Sequence, residues 1–195
     1  MMNLATQLTQ LETAQLVRRV GEEEATYMFK HVLTQDAAYH SLLVKQRREI
    51  HRRVAQAYEA EYGNTCLDDY AGILAKHYLE AGDDKQALIY AMRAGDLAAR
   101  VYANTEAIAF YSQALDATKR NSATTAQLIH LYAARGRAYE LADDYVRAVE
   151  NYREMQTFAQ SRSDRALELE SLMLQGTAYA TGLVMCAIQS RRRSL

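Results

Sequence analysis

The chain contains no proline, only two cysteines and eight glycines in 195 residues, and its formal net charge is −1. Proline makes up about 5% of average proteins, and its absence removes the commonest interruption of a helix. Alanine, leucine, glutamate, glutamine and arginine dominate what remains. All are good helix formers, so composition predicts a nearly all-helical chain. The balanced charge supplies no global field for nucleic acid or for an acidic membrane surface. Cys66 and Cys186 lie far apart and form no CxxC. That excludes a disulfide scaffold and predicts two reduced, structural thiols in a cytoplasmic protein. Residues 1–10 have neither the basic flank nor the apolar run of a signal peptide. The most apolar late stretch, residues 182–188, is far shorter than the ~18 residues a membrane span requires, so no membrane partner is expected.

Catalytic signatures are missing too. No GxxxxGK[ST] occurs, no HExxH, and none of the five histidines pairs with cysteine at metal-ligand spacing. Serines and aspartates cluster where helices should start, where capping explains them without a catalytic triad. The expectation is a chain that is not an enzyme and holds no cofactor and no metal.

What is present is a period. Gly95-Asp-Leu-Ala98, Gly136-Arg-Ala-Tyr139 and Gly176-Thr-Ala-Tyr179 begin 41 and 40 residues apart. Behind the first two, an alanine follows at +12 (Ala107, Ala148) and a tyrosine at +16 (Tyr111, Tyr152). Such spacing predicts stacked helical hairpins rather than a single globular core. Helices are expected near 69–81, 84–101, 105–118, 124–141, 144–160 and 164–181. The turns between them carry Gly82-Asp83-Asp84, Asn104-Thr105, Asn121-Ser122, Asp143-Asp144 and Ser163-Asp164, side chains that accept from the free amides of a helix start. The tyrosines at repeat positions read as core volume with a wet hydroxyl. The third repeat is incomplete, because +12 falls on Ile188 and +16 on Arg192. Leu183, Val184, Met185 and Ile188 are left without an evident partner, which predicts a frayed or folded-back tail, a continuation in a longer protein, or dimerisation through that end.

Ahead of the repeats, residues 1–20 read as one amphipathic helix ended by Gly21 and the acidic run Glu22 to Glu24. Thr26-Tyr27-Met28-Phe29 is the one convincing strand candidate. Helices are expected from about Thr34 to Leu43 and from about Lys45 to Tyr62, and Gly63-Asn64 marks a domain boundary. The expected domains are 1–63 and 64–195.

Residues 129–162 resemble a tetratricopeptide repeat, with Tyr132, Gly136 and Tyr139 on a first helix and Ala148, Tyr152 and Met155 on a second; the methionine replaces the family's usual small residue. Ala75, Tyr78, Ala87 and Ala94 match another copy, and Gly95, Ala98, Ala107, Tyr111 and Ala114 a further one. Helix 84–101 must therefore serve two pairs. The resemblance implies an all-α, right-handed solenoid of antiparallel hairpins. Its inner, concave face would be lined by first-helix residues not spent on packing: Met92, Asp96, Arg100, His130, Ala133, Arg137, Glu140, Met173 and Thr177. Mixed charge there suits a protein or peptide segment better than a polyanion.

A second resemblance lies in Tyr27-x-Phe29-x-His31, Gln35-Asp36-x-Ala38-Tyr39, Leu42-Leu43, Arg47, Ile50-His51 and Ala55. It looks like the winged-helix end of bacterial signal-transduction NTPases, among them cyclase–ATPase–repeat proteins and regulators of the maltose-activator type, where the segment joins an ATPase core to repeats. In that family a histidine at this strand-to-helix junction contacts nucleotide phosphate; by position it would be His31, although Lys30 and Val32 stand where an acidic neighbour is expected. The simpler reading makes His31 a helix cap or a neighbour of Phe29. The function implied is a non-catalytic protein-binding or scaffold module, the sensor or regulatory part of a signalling ATPase. The alternative is a nucleotide-responsive regulator that acts only with an NTPase domain. DNA-binding regulation through the basic helix around Lys45, Arg47, Arg48, Arg52 and Arg53 ranks below both.

Overall fold

In the computed structural model, residues 3–21, 26–63 and 66–193 are described, 182–193 by their backbone alone. The described residues are mostly helical, with nine α-helices and one two-stranded sheet. They form two compact units, Met1–Glu49 and Ile50–Leu195. The division falls inside a helix rather than at Gly63, where the turn chemistry places it.

The first unit starts with α1 (Leu4–Thr13), capped by Asn3, whose side chain accepts from the Ala5 amide. The expected helix over 1–20 does not form. It stops at Thr13, and Gln15 takes a left-handed φ of 60°. Val17–Val20 then form β1, antiparallel to β2 (Thr26–Phe29), with Val17 opposite Phe29 and Val20 opposite Thr26. The reason is that a strand cannot stand alone. The Thr26–Phe29 amides and carbonyls require a partner ladder, and Val-Arg-Arg-Val, with a β-branched residue at each end, provides it. Gly21, at φ 86°, follows β1 instead of ending a helix, and the acidic run Glu22 to Glu24 lies outside the described residues. Behind the sheet come α2 (Val32–Ser41) and α3 (Val44–Tyr62), both close to expectation. Among the described residues of this unit only Val17 is buried, whereas Leu4, Leu33 and Leu43 are exposed at 68%, 77% and 70%.

The second unit takes the C-terminal half of α3 with it, because Ala55 is fully buried there and Glu59 accepts hydrogen bonds from two tyrosines of the next helices. A 3-10 turn (Leu67–Tyr70) leads into α4 (Ala71–Ala81). Then follow α5 (Asp84–Arg100), α6 (Asn104–Thr118), α7 (Thr125–Leu141), α8 (Tyr145–Ser161) and α9 (Arg165–Arg193). From α4 onward each helix packs on its sequence neighbours, and α5 does pack on both α4 and α6. Short turns enforce this order. Gly82 closes α4 in the left-handed region, and Asp83, Asp144 and Asp164 accept from amides two or three residues on. Thr124 and Gln127 form a reciprocal capping box at α7. Asn104 is not a cap; Ala103 holds that position. The last helix does not end near 181 but continues to Arg193.

The repeat glycines have a specific job. A Cβ on Gly95 would lie 2.6 Å from the Tyr111 ring, and one on Gly136 would lie 2.3 Å from the Tyr152 ring. Each +16 tyrosine thus lies on the glycine that opens its repeat. Gly72 receives the Phe110 ring in the same way, at 2.8 Å. Gly176 departs from the pattern, since nothing would meet its Cβ within 4 Å.

Candidate functional site

The residues expected to line an inner face come from alternate helices, α5, α7 and α9. The structure brings some of them together. The carboxylate of Asp96 on α5 accepts from the Tyr111 hydroxyl at 2.8 Å and pairs with His130 Nε2 of α7 at 2.8 Å. About two turns further along α7, Arg137 Nη1 donates to Glu140 at 2.9 Å, and Glu140 accepts from the Tyr152 hydroxyl at 3.0 Å. Met92 is half-buried against the core, and Arg100 is exposed beside Tyr111, whose phenol feels its charge. Met173 and Thr177 on α9 are exposed, and the Thr177 hydroxyl donates to the Leu174 carbonyl. So Asp96 and His130 meet, Arg137 and Glu140 meet, and the α9 pair joins neither.

These contacts revise one expectation. The buried tyrosines Tyr78, Tyr90, Tyr111, Tyr132 and Tyr152 each donate the hydroxyl to a carboxylate, whereas the Tyr179 hydroxyl accepts from Arg153. Tyr78 and Tyr90 both donate to Glu59, at 2.6 and 2.5 Å, with their rings stacked 5.6 Å apart. Burial, then the Glu59 contact, pushes the Tyr90 phenol up to about 12. Tyr78, Tyr111, Tyr132 and Tyr152 are raised further, burial again being the largest cause. A buried phenol needs an acceptor, and an acidic residue at the helix edge supplies one.

A second centre escaped the sequence reading. Arg135 of α7 is buried to 8% exposure, yet it spans three helices. Its Nε donates to Asn151 Oδ1 at 2.6 Å, Nη1 to the Ser112 hydroxyl at 3.3 Å, and Nη2 to Glu154 at 2.6 Å. Asn151 in turn donates to the Tyr132 carbonyl at 2.8 Å, and the guanidinium lies over the Tyr132 ring at 5.4 Å. Leu128, Leu131, Arg135 and Ala138 run at three- and four-residue spacing, so an arginine interrupting that apolar stripe was the signal available. Next to this network is an open cleft of about 440 Å3, mostly apolar, lined by Leu115 and Thr118 of α6, Tyr132 of α7, and Glu154 and Phe158 of α8.

His31 sits at the N-cap of α2, exposed, but its ring makes no capping hydrogen bond. Within the first unit the Arg47 guanidinium lies over the Tyr39 ring at 5.1 Å, so part of the basic helix is engaged in packing. Cys66 is a reduced thiol, and the Cys186 side chain lies outside the described residues. Among the described residues no group of three or more His, Cys, Asp or Glu stands close enough to hold a metal ion, and no helix is long and apolar enough to cross a membrane.

No protein-family model matches this chain, and no solved structure matches it. An uncharacterized protein of Rhizobium meliloti (strain 1021) is 33% identical over 126 residues, which is 64% of this chain but 12% of that protein. The match thus spans about one-eighth of a much longer relative.

Proposed function

We infer that this chain is a non-catalytic protein-binding or scaffold module, built as a tetratricopeptide-like solenoid behind a winged-helix-like segment, and that it serves as the sensor or regulatory part of a bacterial signalling ATPase. The observation that carries this reading is the recurring glycine–tyrosine seat. It fixes α5 against α6 and α7 against α8 by one rule, and it leaves α5 and α7 to present side chains on a common surface. Arg100, His130 and Arg137 supply exposed donors there, with Asp96 and Glu140 held in place by the tyrosines beneath. A protein or peptide segment carrying carboxylates or backbone carbonyls suits that chemistry. The helix–hairpin–helix order of the first unit supports the winged-helix-like reading. Its leucines Leu4, Leu33 and Leu43 are exposed. The length of the Rhizobium meliloti relative is in keeping with a segment that works beside other domains.

The test is affinity capture from the native cytosol with the wild-type chain, with the triple variant R100A/H130A/R137A, and with E150A as a control on α8. The reading expects a partner held by wild type and E150A and lost from the triple variant, whose helicity stays unchanged. Retention of every partner by the triple variant would refute the assignment of this surface.

A further inference from the structure

The cleft between α6 and α8 takes no part in the surface assigned above. Residues two apart on a helix point about 200° apart, so α7 turns Tyr132 and Arg135 away from His130 and Arg137. The cleft's volume of about 440 Å3 falls among those that hold small organic molecules, about 300–1,000 Å3. Leu115, Tyr132 and Phe158 supply its apolar wall. Two rings and a leucine favour a flat aromatic guest, because aromatic pairs gain from offset or edge-on contact beyond the area they bury.

The polar groups of the lining are mostly acceptors. Thr118, Thr157 and Ser161 each spend the hydroxyl proton on a carbonyl of their own helix, on Leu115 at 2.6 Å, Arg153 at 3.0 Å and Phe158 at 2.7 Å. What they offer the cleft is lone pairs. Glu154 adds a half-exposed carboxylate, whose Oε2 accepts from Arg135 at 2.6 Å. Its Oε1 has one contact among the described residues, from the Tyr132 hydroxyl at 3.5 Å. That is long beside the usual ~2.7–2.8 Å of an O–H···O bond, so Oε1 has acceptor capacity to spare. Lys119, on the rim, is turned to Asp116 at 2.6 Å.

Charge is already balanced here. Arg135 answers Glu154, and Asp116 answers Lys119. A cationic guest would meet the guanidinium over each ring, Arg135 on Tyr132 at 5.4 Å and Arg162 on Phe158 at 5.5 Å. An anionic guest would meet Glu154. A neutral guest with a donor matches both the charge and the acceptors.

We propose that this cleft binds a small, neutral, flat aromatic molecule bearing a hydrogen-bond donor, of the indole or phenol class, with its ring against Leu115, Tyr132 and Phe158 and its N–H or O–H on Glu154 Oε1.

Amide-resolved NMR titration of the full chain tests it with two probes of one shape, indole, which has a donor, and quinoline, which has an acceptor and no donor. Indole shifts the amides of Leu115, Thr118 and Phe158 with a Kd of about 0.1–1 mM, and quinoline binds about tenfold more weakly because it leaves the acceptors unanswered. Thr157→Trp fills the mouth of the cleft and abolishes the indole shifts, with unfolding unchanged because Thr157 is exposed. Glu154→Gln reverses the order of the two probes: its amide oxygen turns to Arg135 and its NH2 takes the place of Oε1, where it donates. No shift at those amides with indole up to ~5 mM would overturn the proposal. So would equal binding of the two probes by wild type, indole shifts that survive T157W, or the same order of probes in E154Q.

Discussion

Replacing glycine by alanine inside a helix ordinarily stabilises it, by about 0.5–1 kcal/mol, because alanine loses less backbone freedom on folding. The structure reverses that sign at Gly136 and keeps it at Gly176. An alanine methyl at 136 would lie 2.3 Å from two carbons of the Tyr152 ring and 2.4 Å from its oxygen. Tyr152 is 1% exposed and tied to Glu140, so the ring has no free space to enter. Overpacking of this kind costs about 1–3 kcal/mol. If the ring swings aside it also gives up a hydrogen bond to a carboxylate worth about 1.5–3 kcal/mol. After the propensity gain, G136A should lose about 2 kcal/mol, which lowers Tm by roughly 4–8 °C for a unit of this size. G95A, with its methyl 2.6 Å from the Tyr111 ring, should behave alike. At Gly176 nothing lies within 4 Å, so G176A should gain about 0.5–1 kcal/mol. Urea and thermal denaturation of the three variants decide the matter. Stabilisation by G136A, or loss of stability in G176A, would refute the seat as a packing element.

Three further outcomes follow from the polar groups inside the second unit. Arg135→Leu should cost about 2–3 kcal/mol in urea unfolding, because it strands the buried Asn151 oxygen and leaves Glu154 without its guanidinium; Glu154 is itself 48% exposed, which keeps the loss below that of a fully buried pair. His77 Nδ1 lies 2.9 Å from His51 Nδ1, and burial first, then the His51 and Lys76 charges, lower the His77 pKa against a weaker upward pull from Glu80. A folded-state pKa below 6.5 means the fold binds the proton less well than the open chain. Stability is therefore complete above that value and declines as pH falls below it, and H77Q should flatten the decline in denaturation midpoints measured across mildly acidic pH. At the alkaline end the sign is the opposite. Phenols raised above 10 by burial keep their full stabilisation below that pH and lose it as pH rises through their folded values. Phenolate absorbance should accordingly rise in one cooperative step with loss of helicity; gradual ionisation without unfolding would show that these hydroxyls are open to water.

Helix positions in the second unit were legible because caps and apolar spacing are local, and local signals survive in a single sequence. Asp83, Asp144 and Asp164 mark their helix starts wherever the chain goes afterwards. The first unit was less legible. Val17–Val20 carries apolar residues compatible with a helical stripe, and only pairing with Thr26–Phe29, across a register that runs from Val20 opposite Thr26 to Val17 opposite Phe29, decides for a strand. Arg135 was hidden for a related cause. Its burial depends on an asparagine on α8 and a serine on α6, and no local spacing announces partners that distant.

Alone, the sequence determined that glycine and tyrosine recur in step, since that is a statement about order along the chain. The tertiary structure decided what the step means: twice the ring lies on the glycine and hands its hydroxyl to a carboxylate, and a third time the seat is open. Periodicity follows from covalent order. Contact depends on which helix comes next, and at Gly176 no second helix of this chain reaches the seat among the described residues.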